Sequence, residues 1–158
     1  MDKLFWIIPG RLAGRPGPDA APWDLQALYQ GGIGAILSVD DGRLCKPEEM
    51  ATFKIAYACH PLSDSAPPQP GDAEICLKIL PTACEFIETQ LGQGRRVIVH
   101  CSGGNDRTGL CLGYFLVHYM GLSPNKVLHT LRAVRPTALS AKGWEVFAQQ
   151  IWLNSVKP

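Results

Sequence analysis

Three β-branched apolar residues, Val97, Ile98 and Val99, follow one another without a polar alternate. A strand of that kind has no face to give to water, so it belongs in a sheet covered on both sides. Directly after it stands HCSGGNDRTG, His100 to Gly109, in which a cysteine precedes two glycines and an arginine follows six positions on. The strand must therefore end in a tight turn, and the turn must open a helix.

The remaining sequence fits around that unit. Leu4 to Ile8 and Arg11 to Ala13, parted by Pro9-Gly10, read as an opening strand pair, and Ile33 to Val39 and Ile55 to Cys59 as buried strands. Pro22 to Gln30 reads as a short helix ended by Gly31-Gly32. From Asp72, apolar residues at Ile75, Ile79, Ala83, Ile87 and Leu91 predict a long helix, kinked at Pro81 and closing near Gly92 to Gly94. Further helices are predicted at 108–120, 124–133 and 141–153, and the proline-rich SDSAPPQPG between Leu62 and Gly71 is a loop. Strands joined by helical crossovers predict an α/β fold, a central, mostly parallel sheet flanked by helices on both faces. One domain over residues 1–158 suffices, since at this length folding buries roughly 70% of the chain's surface.

Composition narrows the partners. A formal charge of +1 lacks the basic excess of a nucleic-acid binder. Met1-Asp2-Lys3 followed by LFWII is too short for a secretory leader. The apolar stretch Leu110 to Leu122 falls short of the roughly 18 residues that a membrane span needs. Six cysteines without a C-x-x-C pair fit a reducing compartment. The expectation is a cytoplasmic monomer with no stable membrane insertion and no cofactor. No metal is expected either, because His60, His118 and His129 lack ligand spacing.

The chemistry concentrates in the turn. Successive backbone N–H groups and a helix N-terminus converge on a point that stabilises an anion, and Gly103 and Gly104 allow the close approach such a cradle needs. Arg107 can grip two phosphate oxygens with its planar fork. The same field favours the reactive thiolate of Cys101. Thr108 can donate to that sulfur, and His100 orders the loop through its ring nitrogens, since a thiolate needs no general base. Six cysteines and eight arginines would give a bare C-x5-R by chance roughly 0.3 times. The strand before and the helix after supply the specificity.

VIVHCSGGNDRTG resembles the signature of the cysteine-dependent protein tyrosine phosphatase superfamily. WIIPGRLAG, GGIGAILSVDDG, SDSAPPQP and LRAVRP resemble segments of the small, atypical dual-specificity phosphatases, so the likeness runs from Trp6 to Phe147. The resemblance implies a single catalytic domain and two-step hydrolysis through a phosphocysteine. It makes Cys101 the nucleophile, Arg107 the phosphate clamp, Thr108 the thiolate donor, and the backbone of Ser102, Gly103, Gly104, Asn105 and Asp106 the oxyanion cradle. Expelling an alkoxide at neutral pH requires a proton donor, and Asp64 in LSDSAPP matches the family's loop aspartate. Asp72 is then expected to cap the next helix.

One position departs from the pattern. Asp106 stands where dual-specificity enzymes usually carry glycine, giving the D-R-T of myotubularin-like and some bacterial lipid-active phosphatases. In myotubularin-like enzymes that aspartate is itself a proposed general acid, so the resemblance makes Asp106 the second choice of acid here, after Asp64. The expected substrates are phosphotyrosine and phosphoserine or phosphothreonine in proteins, taken into a shallow site with Arg11, Arg15, Arg43 and Lys46 near its mouth. The alternatives are a phosphoinositide phosphatase using Asp106 and a catalytically silent phosphate-binding module. Cys45, Cys59, Cys76, Cys84 and Cys111 read as packing residues, with a disulfide from Cys101 to Cys45 or Cys59 left open. Arg135-Pro136 resembles the family's late R-P signal, but the glutamine expected after it is replaced near Trp144.

Overall fold

The computed structural model describes residues 3–155. Met1 and Asp2, the start of the stretch weighed as a leader, lie outside the described residues. The chain runs β1 (Phe5–Ile8), β2 (Leu12–Arg15), α1 (Leu25–Gln30), β3 (Ile33–Ser38), α2 (Pro47–Thr52), β4 (Ala56–Cys59), α3 (Asp72–Gly92), β5 (Arg96–His100), α4 (Arg107–Met120), α5 (Pro124–Val134) and α6 (Trp144–Ser155). The strands form one sheet in the order β1-β2-β5-β3-β4. Only the β1–β2 pair is antiparallel; β2, β5, β3 and β4 run parallel.

The apolar run Val97 to Val99 lies in the middle strand, β5, and its alternation divides the core. Val97 and Val99 join Leu12, Ala35 and Leu37 in the large cluster under α3, α4, α5 and α6. Ile98 faces the other way, with Ile33, Ile36 and Ile55, against Leu28 of α1 and Met50 of α2. Both faces of the sheet are therefore covered, as a strand without polar alternates demands.

Four helices differ from the sequence reading. Helix α1 begins at Leu25, not Pro22, because the Asp24 carboxylate accepts from the Ala27 N–H at 3.0 Å and fixes the N-terminus there. Helix α2 went unpredicted; it is under two turns long and buries a single residue, Met50, although Pro47 at its start and Glu48 and Glu49 in its first turn favour it. Helix α6 starts at Trp144, later than the predicted 141. The long helix α3 passes through Pro81 unbroken, and its buried face is Cys76, Leu80, Ala83, Cys84, Ile87 and Leu91, while Ile75 is exposed. A strict four-residue repeat drifts around a helix of 3.6 residues per turn, so the predicted stripe leaves the core at its N-terminal end.

Candidate active site

Strand β5 ends at His100, and Cys101 follows at the C-terminal edge of the sheet, only 3% exposed. Residues 101–106 turn the chain into α4, whose first residue is Arg107. Thr108, fully buried in that first turn, donates its hydroxyl to the Cys101 Sγ at 3.0 Å. A donor at that position stabilises negative charge on sulfur both in attack and in departure.

The turn is held from outside by its carbonyls. Ser102 O accepts from the Gly17 N–H at 2.8 Å and Asn105 O from the Leu139 N–H at 3.1 Å. Arg135 donates through Nη2 to Gly103 O at 2.8 Å and through Nε to Asn105 Oδ1 at 2.9 Å; Thr137 adds a bond to the same Oδ1 at 2.7 Å. The Ser102 hydroxyl donates to Asp19 Oδ2 at 2.8 Å and holds that carboxyl below its usual range. Among the described residues, none accepts a bond from the N–H groups of Ser102 to Asp106. Five amides with no protein acceptor, in a turn whose Ser102, Gly103 and Asn105 carbonyls are held by the surrounding chain, leave donors that an anion can take up. Gly104 is needed here twice over: its φ is +76°, and a Cβ would lie 2.9 Å from Pro16 N and 3.0 Å from the Arg15 carbonyl.

His100 lies behind the turn with no exposed surface. Its Nδ1 lies 3.1 Å from the Cys101 carbonyl oxygen, and its Nε2 meets the Ser38 hydroxyl, which is 2.7 Å from the Tyr57 hydroxyl. A carbonyl only accepts, so Nδ1 carries the proton and Nε2 accepts from Ser38. Burial pushes the imidazole pKa down, with Asp40 opposing, and Trp23 packs edge-on against the ring at 4.6 Å. His100 thus positions Cys101 through its carbonyl and does not border the recess.

Two connected hollows open over the turn. A floor recess of about 90 Å³ is bordered by Cys101, Arg107, Asp64, Asp106 and Trp144, among others. An outer cleft of about 290 Å³ shares Asp64 and Arg107 and adds Ser102, Asp19, Asp40, Asp41 and Arg43. The structure therefore brings Asp64, 37 positions upstream, to the recess that holds the sulfur. Its loop is anchored by Trp144, whose buried indole N–H donates to Ser65 O at 2.9 Å. Asp106 borders the same recess, but its Oδ1 accepts from the Ala141 N–H at 3.3 Å. The Arg107 guanidinium has no hydrogen-bond or ion-pair partner among the described residues.

A match to the family model "Dual specificity phosphatase, catalytic domain" spans residues 25–148, well over half of the chain. The chain belongs to the dual-specificity phosphatase family. Tyrosine-protein phosphatase cdcA of Emericella nidulans is 27% identical to this family member over 124 residues, 78% of the chain and 18% of the relative. Tyrosine-protein phosphatase CDC14 of Saccharomyces cerevisiae is 36% identical over 66 residues, 42% of the chain and 11% of the relative. The chain spans less than a fifth of the length of both. Among solved structures, Tk-PTP in its active form superposes with a TM-score of 0.76 at 21% identity, covering 98% of this chain and 99% of that one. Human DUSP28 superposes at 0.73 and 19% identity, covering 98% and 95%. These structural likenesses bear on the fold.

Several expectations about the phosphatase site need correction. Arg11 is not at the mouth; its Nη2 donates to Leu91 O at 3.0 Å, at the other end of β2. Arg15 is buried and donates to the Pro16, Ala21 and Pro22 carbonyls beneath the site. Of the four basic residues, Arg43 borders the cleft and Lys46 an adjoining hollow. Asp72 opens α3, and its carboxylate accepts from the Gln69 N–H at 2.6 Å, fastening the preceding loop instead of capping the helix. Cys76, Cys84 and Cys111 are buried, Cys45 and Cys59 half-buried, and all six thiols are free. Among the described residues, no three His, Cys, Asp or Glu side chains are grouped to hold a metal ion, and no helix is long and apolar enough to cross a membrane. Sequence reasoning missed Asp19 and Thr137, which bond the turn, and Ser38 and Trp23, which hold His100 behind it; all four arrive through tertiary contact.

Proposed function

We propose that this chain hydrolyses phosphate monoesters of tyrosine and of serine or threonine in proteins, through a phosphocysteine. The observation that carries the reading is that Cys101, Arg107 and Asp64 border one recess over a turn whose five amides have no acceptor in the protein. The amides and the guanidinium bind the three non-bridging phosphate oxygens and stabilise the charge that they carry in the transition state. Cys101 Sγ attacks phosphorus, the bond from phosphorus to the ester oxygen breaks, and Asp64 in its acid form gives that oxygen a proton. In the second step the Asp64 carboxylate takes a proton from water as its oxygen attacks phosphorus. The S–P bond breaks, inorganic phosphate leaves, and Thr108 steadies the departing sulfur.

Protein substrates are favoured over phosphoinositides by the charge at the mouth. Asp19, Asp40, Asp41 and Asp64 border the outer cleft against Arg43 and Arg107, and carboxylates at that density oppose a headgroup with several phosphates. Asp64 is preferred over Asp106 as the donor because Asp106 is engaged by the Ala141 amide.

Turnover of p-nitrophenyl phosphate without added metal tests the reading, with Cys101→Ser expected to fall to background. Full activity in Cys101→Ser would overturn the mechanism, and phosphate binding without any turnover in the unaltered chain would favour the silent module. Asp64→Asn should lose about 100-fold in kcat on a phosphotyrosine peptide and only a few-fold on an ester with an acidic leaving group. Asp106→Asn should lose less on both; the reverse order would transfer the donor role to Asp106 and favour the lipid reading.

A further inference from the structure

Beside the outer cleft lies a second hollow of about 170 Å³, bordered by apolar side chains, Trp23, Leu25, Leu44 and Met50 among them, and by the charged Lys46 and Glu49. It is continuous with the cleft, because Pro18, Leu44 and Cys45 border both. Leu44 is 50% exposed at this junction, and Trp23 and Leu25 are only half-buried. An apolar cavity on the order of 150 Å³ accommodates a benzene ring, so this hollow has room for one branched or aromatic side chain. The charged cleft fixes a phosphate, and the apolar side chains on the border of this hollow offer a neighbouring side chain a place to leave water, with Lys46 and Glu49 at its rim.

We propose that this hollow is a specificity subsite that takes an apolar side chain of the substrate peptide, near in sequence to the phosphorylated residue. The inference rests on the phosphoprotein reading above. Its occupant belongs to the ligand held in the cleft, since the two hollows share a wall and an extended peptide anchored at Arg107 runs along that wall. A lone phosphate ester such as p-nitrophenyl phosphate does not reach it. The subsite therefore sorts peptide substrates without altering the chemistry at Cys101.

The test uses the Cys101→Ser chain and fluorescent phosphopeptides in which Leu, Phe, Ala or Glu is walked through the positions flanking phosphotyrosine. At one flanking position Leu or Phe should bind about tenfold more tightly than Ala, the scale on which an apolar pocket discriminates. Leu25→Glu in the same background should erase that preference while leaving the Ala peptide within twofold. In the chain with Cys101 intact, Leu25→Glu should keep p-nitrophenyl phosphate turnover, which shows that it folds. Should it not fold, Pro22→Glu on an exposed wall of the same hollow replaces it. The proposal is overturned if no flanking position prefers an apolar residue, or if the preference survives the glutamate. It is also overturned if a soluble short-chain phosphoinositide binds more tightly than every peptide. Absence of turnover in the unaltered chain would strike the catalytic reading alone, because binding still reports on the hollow.

Discussion

Two side chains away from the sulfur, Trp144 and His100, hold the Asp64 loop and the Cys101 carbonyl. Trp144 is 1% exposed and its N–H bonds Ser65 O, one residue from Asp64. Trp144→Phe keeps an aromatic ring in the core and deletes that bond, worth about 0.5–1.5 kcal/mol. The expected outcome, on the proposed role of Asp64, is a kcat on phosphotyrosine peptide lowered roughly 2–10-fold, since the Asp64 loop leaves its place at the recess more often. An ester with an acidic leaving group should be unaffected, and equal losses on both substrates would mean that the indole only supports packing. His100 bears on stability. Its folded pKa lies below the ordinary value of about 6.5, so in mildly acidic solution the unfolded chain binds a proton that the folded one refuses. The stabilisation is complete above about pH 6.5 and declines as pH falls through the folded value. The urea midpoint should therefore drop between pH 7.5 and 5.5, and His100→Gln should flatten that slope. The residues contiguous with Cys101 were legible in the sequence because one turn places them. Asp64 was legible only through family likeness, and the Asp19 and Arg135 contacts were not, since partners 83 and 32 positions away leave no local pattern.

At the scale of elements, α4 carries the site and α6 braces it. Gly113 in α4 has no room for a Cβ, which would collide with the six-membered ring of Trp152 in α6. That indole is fully buried and donates to Leu110 O at 3.1 Å. Gly113→Ala should cost about 1–3 kcal/mol through overpacking, despite alanine's better helix propensity. Urea unfolding checks it, and a neutral or stabilised variant would mean that the two helices separate freely. The strands and the four longest helices could be read from apolar periodicity, because each commits many residues to one face. Helix α2, with one buried side chain, writes almost no pattern into the sequence. The exposed Ile75 shows the limit of counting by fours: the apolar residue is real, but the helix turns it away from the core.

For the whole molecule, the sheet order sets where stability resides. Strand β5 is paired on both sides, with β2 and β3, and all its residues but Arg96 are buried. β1 and β4 are the edges. Backbone amides of β5 should therefore exchange with solvent most slowly, near the global unfolding limit, while those of β4 exchange sooner. Slower exchange in β4 would contradict the arrangement. The fold class followed from the uninterrupted apolar run, whereas the strand order could not be read, because equivalent apolar strands carry no mark of their neighbours.

That order has a consequence for how the protein is made. β2 and β3 emerge from the ribosome early, yet in the finished sheet a slot one strand wide lies between them. Until residues 96–100 have been synthesised, the nascent chain carries two unsatisfied inner borders facing each other across that slot. The segment that fills it bears the sulfur at its tip, so threading the last strand and arming the protein are one event.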